Sequence, residues 1–381
     1  MTKTETAIIA IDAKLDLLVK KIELLNYINP TNIQEEKKKF FDSKFTRNPN
    51  FSYPKLDFDA FGLQRQLFSL EIESIDDEVI RNLYEDIIYE YSGLIECIAT
   101  IGKGKKFYYN SLRSFGTPTE KDVENAKFIL HFSDEIDVEK STPRFDVFQT
   151  EEQFRTYSKQ YDFSYEIKHS SKLSAIAMVL SNDKTLVLNK NHIFSQQDID
   201  VLTNHEIGIH MVTTMNAENN QLKIFAHGFP NNVETQEGLA VFSEYMSDSI
   251  TLERLKVLAY RVIAVNSLEK GYDFIQTFKL LHSNYNLDAN KAFGITLRVH
   301  RGGGFTKDYL YLTGLKKIYD SYKSKEDLDC LLVGKTTLEY NKTIKYLVQN
   351  NYANKPKYKP NSYNSNNCSK ETVNFILNKL K

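Results

Sequence analysis

The segment Asn204-His205-Glu206-Ile207-Gly208-Ile209-His210 sets a carboxylate between two imidazoles. Imidazole and carboxylate are ligands of catalytic zinc, and a glutamate beside the first histidine is the general base of the helical His-Glu-x-x-His zinc peptidase motif. In that motif the histidines stand four apart and share a helix face. Here they stand five apart. At about 100° per residue, five steps leave two side chains about 140° apart around an ideal helix. Convergence on one metal therefore requires the helix to be distorted or to end between them. A π-bulge supplies such a distortion, and Gly208, lying between the histidines, eases it. Two histidines near a glutamate also occur by chance, so this segment alone leaves a metal site and a structural role evenly balanced.

A third ligand shifts that balance, because catalytic zinc takes three protein ligands and leaves a fourth position to water. The stretch from Pro230 to Glu244 supplies candidates. Pro230, Asn231 and Asn232 suit a turn before a helix, on which Glu237 falls in line with Val233, Ala240, Val241 and Glu244. A carboxylate on a partly apolar face needs a partner, and a metal ion is one. A capping or salt-bridging role for Glu237 is the competing account. Glu234, Glu244 and Asp248 compete as ligands or as partners that orient a histidine. With Glu206 as base, the chemistry is deprotonation of a metal-activated water, attack on a carbonyl, and stabilisation of the oxyanion.

These residues need elements to hold them. Ser195 caps a helix carrying His205 to His210, and the chain is helical again from about Thr235 to Glu269. Before the motif, Ser164 to Lys168 alternates, Ser174 to Leu180 is a short apolar run, Ser181 to Lys184 is turn chemistry, and Thr185 to Asn189 follows, which predicts a hairpin. The Ser174–Leu180 run reads either as sheet core or as an edge strand that pairs with a peptide. Upstream, Thr4 to Tyr27 has the apolar period of an amphipathic helix, with Pro30 just past its end, and another helix spans about Asp76 to Thr100. Thr117 with Glu120 reads as a helix start, Asp134 to Asp137 as a charged loop, and Arg301 to Gly304 as a break. Tyr352 to Cys368 reads as a loop before a last helix from about Ser369 to Leu380. Gly102-Lys103-Gly104-Lys105-Lys106 lacks the spacing of a phosphate loop and reads as a basic turn.

Composition narrows the class. The 381 residues are 41% hydrophobic and 26% charged, an ordinary globular mix. The net charge of -1 argues against a general nucleic-acid binder. Three cysteines, Cys97, Cys330 and Cys368, are too few and scattered for a disulfide framework or a thiolate metal site, and fit a reducing, cytoplasmic setting. The amino-terminal stretch has no signal-peptide apolar region, and no apolar run approaches a membrane span. The 24 Phe and 23 Tyr, with no Trp, point to a core rich in rings.

Taken together, His205-Glu-Ile-Gly-x-His210 and Gln236-Glu-Gly-Leu-Ala240 resemble the bacterial flavohemoglobin expression-modulating QEGLA-motif proteins, which are similar to microtubule-associated tyrosine carboxypeptidases. The likeness extends to Arg298-x-x-Arg301-Gly302 and to Lys307-Asp308-x-x-Tyr311-Leu312-x-Gly314, and is clearest from Ser174 to Gly314. One departure is Ile209, where the family has Thr. The resemblance implies a zinc metallopeptidase fold with a helical N-terminal region. It implies His205, His210 and Glu237 as ligands of Zn2+ and Glu206 as the catalytic glutamate. The tubulin substrate of the eukaryotic relatives does not transfer.

A carboxypeptidase has to recognise a free C-terminal carboxylate, and the guanidinium fork suits that task. Arg298 and Arg301 are the candidates, with a helix-end basic patch as the competing account. Tyr311 is a candidate oxyanion donor or a packing residue, and His227 and His300 read as solvated. The expected fold is α+β and mainly helical, with a small β-sheet next to the active-site helix. A helical region spans residues 1–100 and a metallopeptidase-like catalytic domain residues 101–381. The expected function is a zinc carboxypeptidase acting on a peptide or protein C-terminus. Alternatives are a zinc amidohydrolase or aminopeptidase, or a regulatory protein retaining a structural metal.

Overall fold

The computed structural model describes residues 3–20, 22–133, 143–171, 173, 175–364 and 366–381. Among them helices dominate, and the strands of two small sheets fall, in chain order, between the N-terminal helices and the metal-motif helix. The strands are β1 (Arg144–Phe145), β2 (Glu166–Ser170), β3 (Ala177–Leu180), β4 (Thr185–Asn189) and β5 (Phe194–Ser195). β1 pairs antiparallel with β5, and the three-stranded sheet has the order β2-β4-β3.

The predicted hairpin is present as β3 and β4, antiparallel, with Ala177 opposite Leu188 and Leu180 opposite Thr185. Ser181–Asp183 makes the turn, and Lys184 closes it in the left-handed region at φ 46°. β4 is the central strand, and its residues 185–188 are all buried. β2 sits two residues later than the alternation suggests, because its five residues pair in parallel with all five of β4, from Glu166 opposite Thr185 to Ser170 opposite Asn189. β3 is an edge strand. Ser174, where the apolar run begins, lies outside the described residues, as does the Asp134–Asp137 loop.

Local chemistry sets several helix starts. The Asp77 side chain caps the Glu78–Ala99 helix by accepting from Ile80 N at 3.1 Å, and Ser195 caps Gln196–Leu202 in a capping box with Asp198. The helix expected after Thr117 begins two residues later, at Glu120. Thr119 and Asp122 complete that box, and Pro118 separates the true cap from Thr117. The long N-terminal helix is instead two, Lys3–Val19 and Leu24–Ile28. Buried Asp12 pins the first by accepting from the Lys223 and Ile224 amides and from the Tyr84 hydroxyl. The chain then turns at Val19, which lets Ile22 and Ile28 both enter the core.

Buried apolar side chains from Ile8 to Leu380 form the main cluster. As the ring count predicts, aromatics fill it: Phe40 packs against Phe274, Phe278 and Phe293 at centroid distances of 5.2, 4.9 and 5.5 Å. A second cluster, including Phe154, Leu186, Leu188, Phe194, Ile199, Leu202 and Ile207, glues the metal-motif helix to the small sheets.

Two histidines expected to be solvated are packed instead. His227 Nε2 lies 2.7 Å from Asp16 Oδ1, and His300 Nε2 lies 2.8 Å from Thr277 Oγ1. Burial holds the His300 imidazole at about 4. Below pH 6.5 the unfolded chain therefore takes up a proton that the folded chain refuses until about pH 4, so stability falls as pH drops through that window. The contribution at its lower end is about 3 kcal/mol. Urea unfolding of a His300→Asn variant should lose stability less steeply than the parent between pH 6.5 and pH 4. Equal slopes would show that His300 is not the group responsible.

Candidate metal centre

The helix begun at Ser195 runs as α from Gln196 to Leu202, as π-helix from Thr203 to Met211, and as α again from Val212 to Glu218. A π-turn bonds residue i to residue i+5, so positions five apart stand one above the other. That is the spacing of His205 and His210, whose ring centroids lie 5.0 Å apart. The distortion that the spacing demands is present over two turns. The space at Gly208 does not itself require glycine: a Cβ there would meet Ser243 Oγ and Tyr157 Oη at 3.5 Å, an ordinary contact.

Glu237 comes from the Asn232–Met246 helix, which follows Asn231 in the left-handed region at φ 56°. Every residue from Thr235 to Met246 is buried. This helix packs on Leu310–Lys323 through a contact of two glycines. A Cβ on Gly238 would sit 2.5 Å from the Gly314 carbonyl, and one on Gly314 would sit 2.1 Å from the Glu234 carbonyl oxygen. Only glycine lets these backbones touch, and the contact fixes the spacing between the helices carrying Glu237 and Tyr311.

Donor atoms of His205, His210 and Glu237 all lie within 4.8 Å of one another. Glu237 Oε2 is 3.5 Å from His205 Nε2 and 3.6 Å from His210 Nε2. Ligands about 2 Å from a tetrahedral metal lie about 3.3 Å from each other, so the set fits one ion. The strongest sign is an orphan. Glu237 Oε1 accepts from Lys307 Nζ at 2.8 Å, whereas Oε2 is buried with no hydrogen-bond partner among the described residues. A buried carboxylate oxygen facing two imidazole nitrogens is an acceptor that lacks its cation.

The environment supports the same donors. His205 Nδ1 meets Glu244 Oε1 at 2.8 Å, deep in the protein. Arg254 braces Glu244 from the next helix, Nε to Oε2 at 3.0 Å and Nη2 to Oε1 at 2.9 Å. Glu244 thus orients a histidine, and its sequence competitors point elsewhere: Glu234 pairs with Lys317 and Asp248 binds Ser369. Burial disfavours charge on His205, but Glu237 and Glu244 outweigh it and raise the imidazole to about 9. Burial likewise opposes charge on Glu237, yet Lys307 and both histidines hold it well below the usual carboxylate range. Glu206 is buried beside His205 and takes part in none of these ion pairs.

A second polar cluster adjoins the first. The Tyr311 ring lies nearly parallel to His205, at 15° and 6.5 Å between centroids. Lys307 Nζ and the Arg261 guanidinium carbon stand 5.3 and 4.9 Å from its centre. Arg298 forks onto buried Asp308, with Nη2 to Oδ1 at 3.0 Å and Nε on Oδ2. Arg301 donates to Asn29 Oδ1 at 2.6 Å and lies over Phe305. Arg254 and Arg261 were not apparent in the sequence, where they are isolated cations within the Leu252–Glu269 helix. The one available signal is their placement among apolar residues such as Leu255, Leu258 and Val262, which should have marked them as buried charges in need of partners.

A model of the family described as microtubule-associated tyrosine carboxypeptidase matches residues 38–381. The chain belongs to this family. The matched region contains the π-helix, both glutamates and the Arg298–Tyr311 segment, in agreement with the resemblance read from the motifs. The family's description suggests a carboxypeptidase acting on proteins or peptides. No curated protein matches the chain. Among the described residues no helix is long and apolar enough to cross a membrane.

Two substitutions test how this family member holds its site. Glu244→Gln keeps the shape of the brace but weakens its grip on His205 Nδ1. Zinc affinity, read by competition with a chelating dye, should fall roughly 10- to 100-fold, and unchanged affinity would remove Glu244 from the role of orienter. Gly314→Ala should push the two helices apart and cost about 1–3 kcal/mol in urea unfolding. A variant as stable as the parent would show that the contact has slack.

Proposed function

We propose that this protein is a zinc-dependent carboxypeptidase with a metallopeptidase-type catalytic region, removing a C-terminal residue from a peptide or protein. The observation that carries the reading is the partnerless Glu237 Oε2 between His205 Nε2 and His210 Nε2, inside a chain of a carboxypeptidase family. These three residues would hold the ion, and their donor types favour zinc. When bound, zinc acidifies a water molecule and polarises the carbonyl under attack.

The chain's own residues supply the rest. Glu206, adjacent to a ligand and without an ion pair among the described residues, takes a proton from the water and delivers it to the leaving amine. Burial and the Glu237 charge raise the Tyr311 phenol above its ordinary value, so it keeps its proton and serves as a donor to the developing oxyanion. Lys307 holds Glu237 in place through Oε1. Arg298 and Arg301 make the far side of the site cationic and draw a terminal carboxylate toward it. β3, an edge strand packed against the π-helix, offers its open side to an extended peptide backbone. The three free cysteines accord with a reducing, cytoplasmic compartment.

Elemental analysis of purified protein should find about one zinc per chain, lost in His210→Ala. Glu206→Gln should retain the metal and the fold while peptide hydrolysis drops on the order of 100- to 10,000-fold. A Glu206→Gln variant that stays active, or a parent that stays empty in added zinc, would sink the peptidase reading.

A further inference from the structure

The charges around Tyr311 do not balance. Arg254 pairs with Glu244, Lys307 with Glu237, and Arg298 with Asp308. Among the described residues two guanidinium groups, Arg261 and Arg301, have no carboxylate of their own, and each has a buried Nε without a hydrogen-bond partner. Arg261 Nε approaches Asp308 Oδ2 only to 3.9 Å, too far for a hydrogen bond. Burial and the neighbouring charge of Arg298 pull both guanidinium groups down to about 10. Among the described residues these five cations face three carboxylates, two fewer than they need.

The two leftover arginines are not equivalent. Arg301 is 4% exposed, is bonded to Asn29 and is stacked on Phe305. Arg261 keeps 12% of its side chain exposed and lies over the Tyr311 ring, whose plane runs parallel to that of His205. Tyr311 therefore neighbours both Arg261 and a candidate metal ligand. The carboxyl carbon of a terminal residue lies three bonds beyond the carbonyl carbon that is attacked, about 4 Å away. An anion held by Arg261 beside the Tyr311 ring flanks the metal centre, the side on which a C-terminal carboxylate has to lie.

Resting on the carboxypeptidase reading above, we infer that Arg261 is the residue that binds the α-carboxylate of the substrate's last residue. Arg298 is then a positioning residue, which occupies Asp308 so that the Arg261 fork stays available. Arg261 would also set specificity. A peptide amide or an internal peptide bond leaves the guanidinium buried without its anion, and a site built around a polar partner rejects the analogue that lacks it.

The test uses the full zinc-loaded chain and two probes: an N-acetylated dipeptide ending in tyrosine and its C-terminal amide. Release of tyrosine or tyrosinamide is followed by mass spectrometry. The parent should prefer the acid on the order of 100-fold or more in kcat/KM. In Arg261→Met the preference should collapse toward unity, mainly through KM for the acid, with zinc content unchanged. Arg261→Lys keeps the charge but not the fork, and should recover part of the preference. It also serves as the test variant if the Met form fails to fold, since any drop in acid preference at full zinc content then supports the assignment. A folded, zinc-loaded Arg261 variant that still prefers the acid as strongly as the parent overturns it and leaves the carboxypeptidase reading intact. A parent that cleaves neither probe, or both equally, overturns that reading, and the role of Arg261 falls with it.

Discussion

Two imidazoles five residues apart have to face one point, and the rest of the site follows from how the backbone meets that demand. A regular α-helix would send His205 and His210 to different sides. The π-helical stretch from Thr203 to Met211 brings them to one side, with ring centroids 5.0 Å apart. Such a stretch has poorer local geometry than the helix it replaces, and its surroundings have to favour it. Burial does so. The second apolar cluster locks Ile199, Leu202 and Ile207 to the small sheets, and the Asn232–Met246 helix covers the other side. The sheets, which form a small part of the fold, act as the bed on which the widened helix lies.

The second constraint is contact between backbones. Gly238 lies one residue after the candidate ligand Glu237, and Gly314 lies three after Tyr311. Their mutual approach removes the layer of side chains that ordinarily separates two packed helices. Glu237, Lys307 and Tyr311 are thereby drawn into one group although they arise from different segments. The short motif around Glu237 thus combines a chemical residue with the glycine that brings it to its partners.

Much of this was legible in the sequence where a local rule carries it. Ser195 and Asp77 start helices through side-chain oxygens, and the hairpin at Lys184 follows from turn chemistry. The five-residue histidine spacing demands a distortion, and the structure has one. The N-terminal helix break left no trace because the apolar period continues through it, with Val19 and Ile22 buried on either side of the turn. The packing of His227 and His300 has no local signal, because their partners, Asp16 and Thr277, lie far away along the chain. Arg254 and Arg261 are hidden for a related reason. A cation on a helix advertises nothing until the carboxylate or ring it meets is known, and those meetings are set by tertiary packing.

The Lys307 contact limits what Glu237 can offer. A carboxylate is able to grasp an ion with one oxygen or with two, and the difference decides how many places the protein fills. With Oε1 committed to the ammonium of Lys307, only Oε2 faces the histidines. A neighbouring charge thus leaves Glu237 one oxygen to offer. Were an ion held by His205, His210 and Glu237, this lysine would keep the glutamate from closing around it with both oxygens, and would do so without touching the metal.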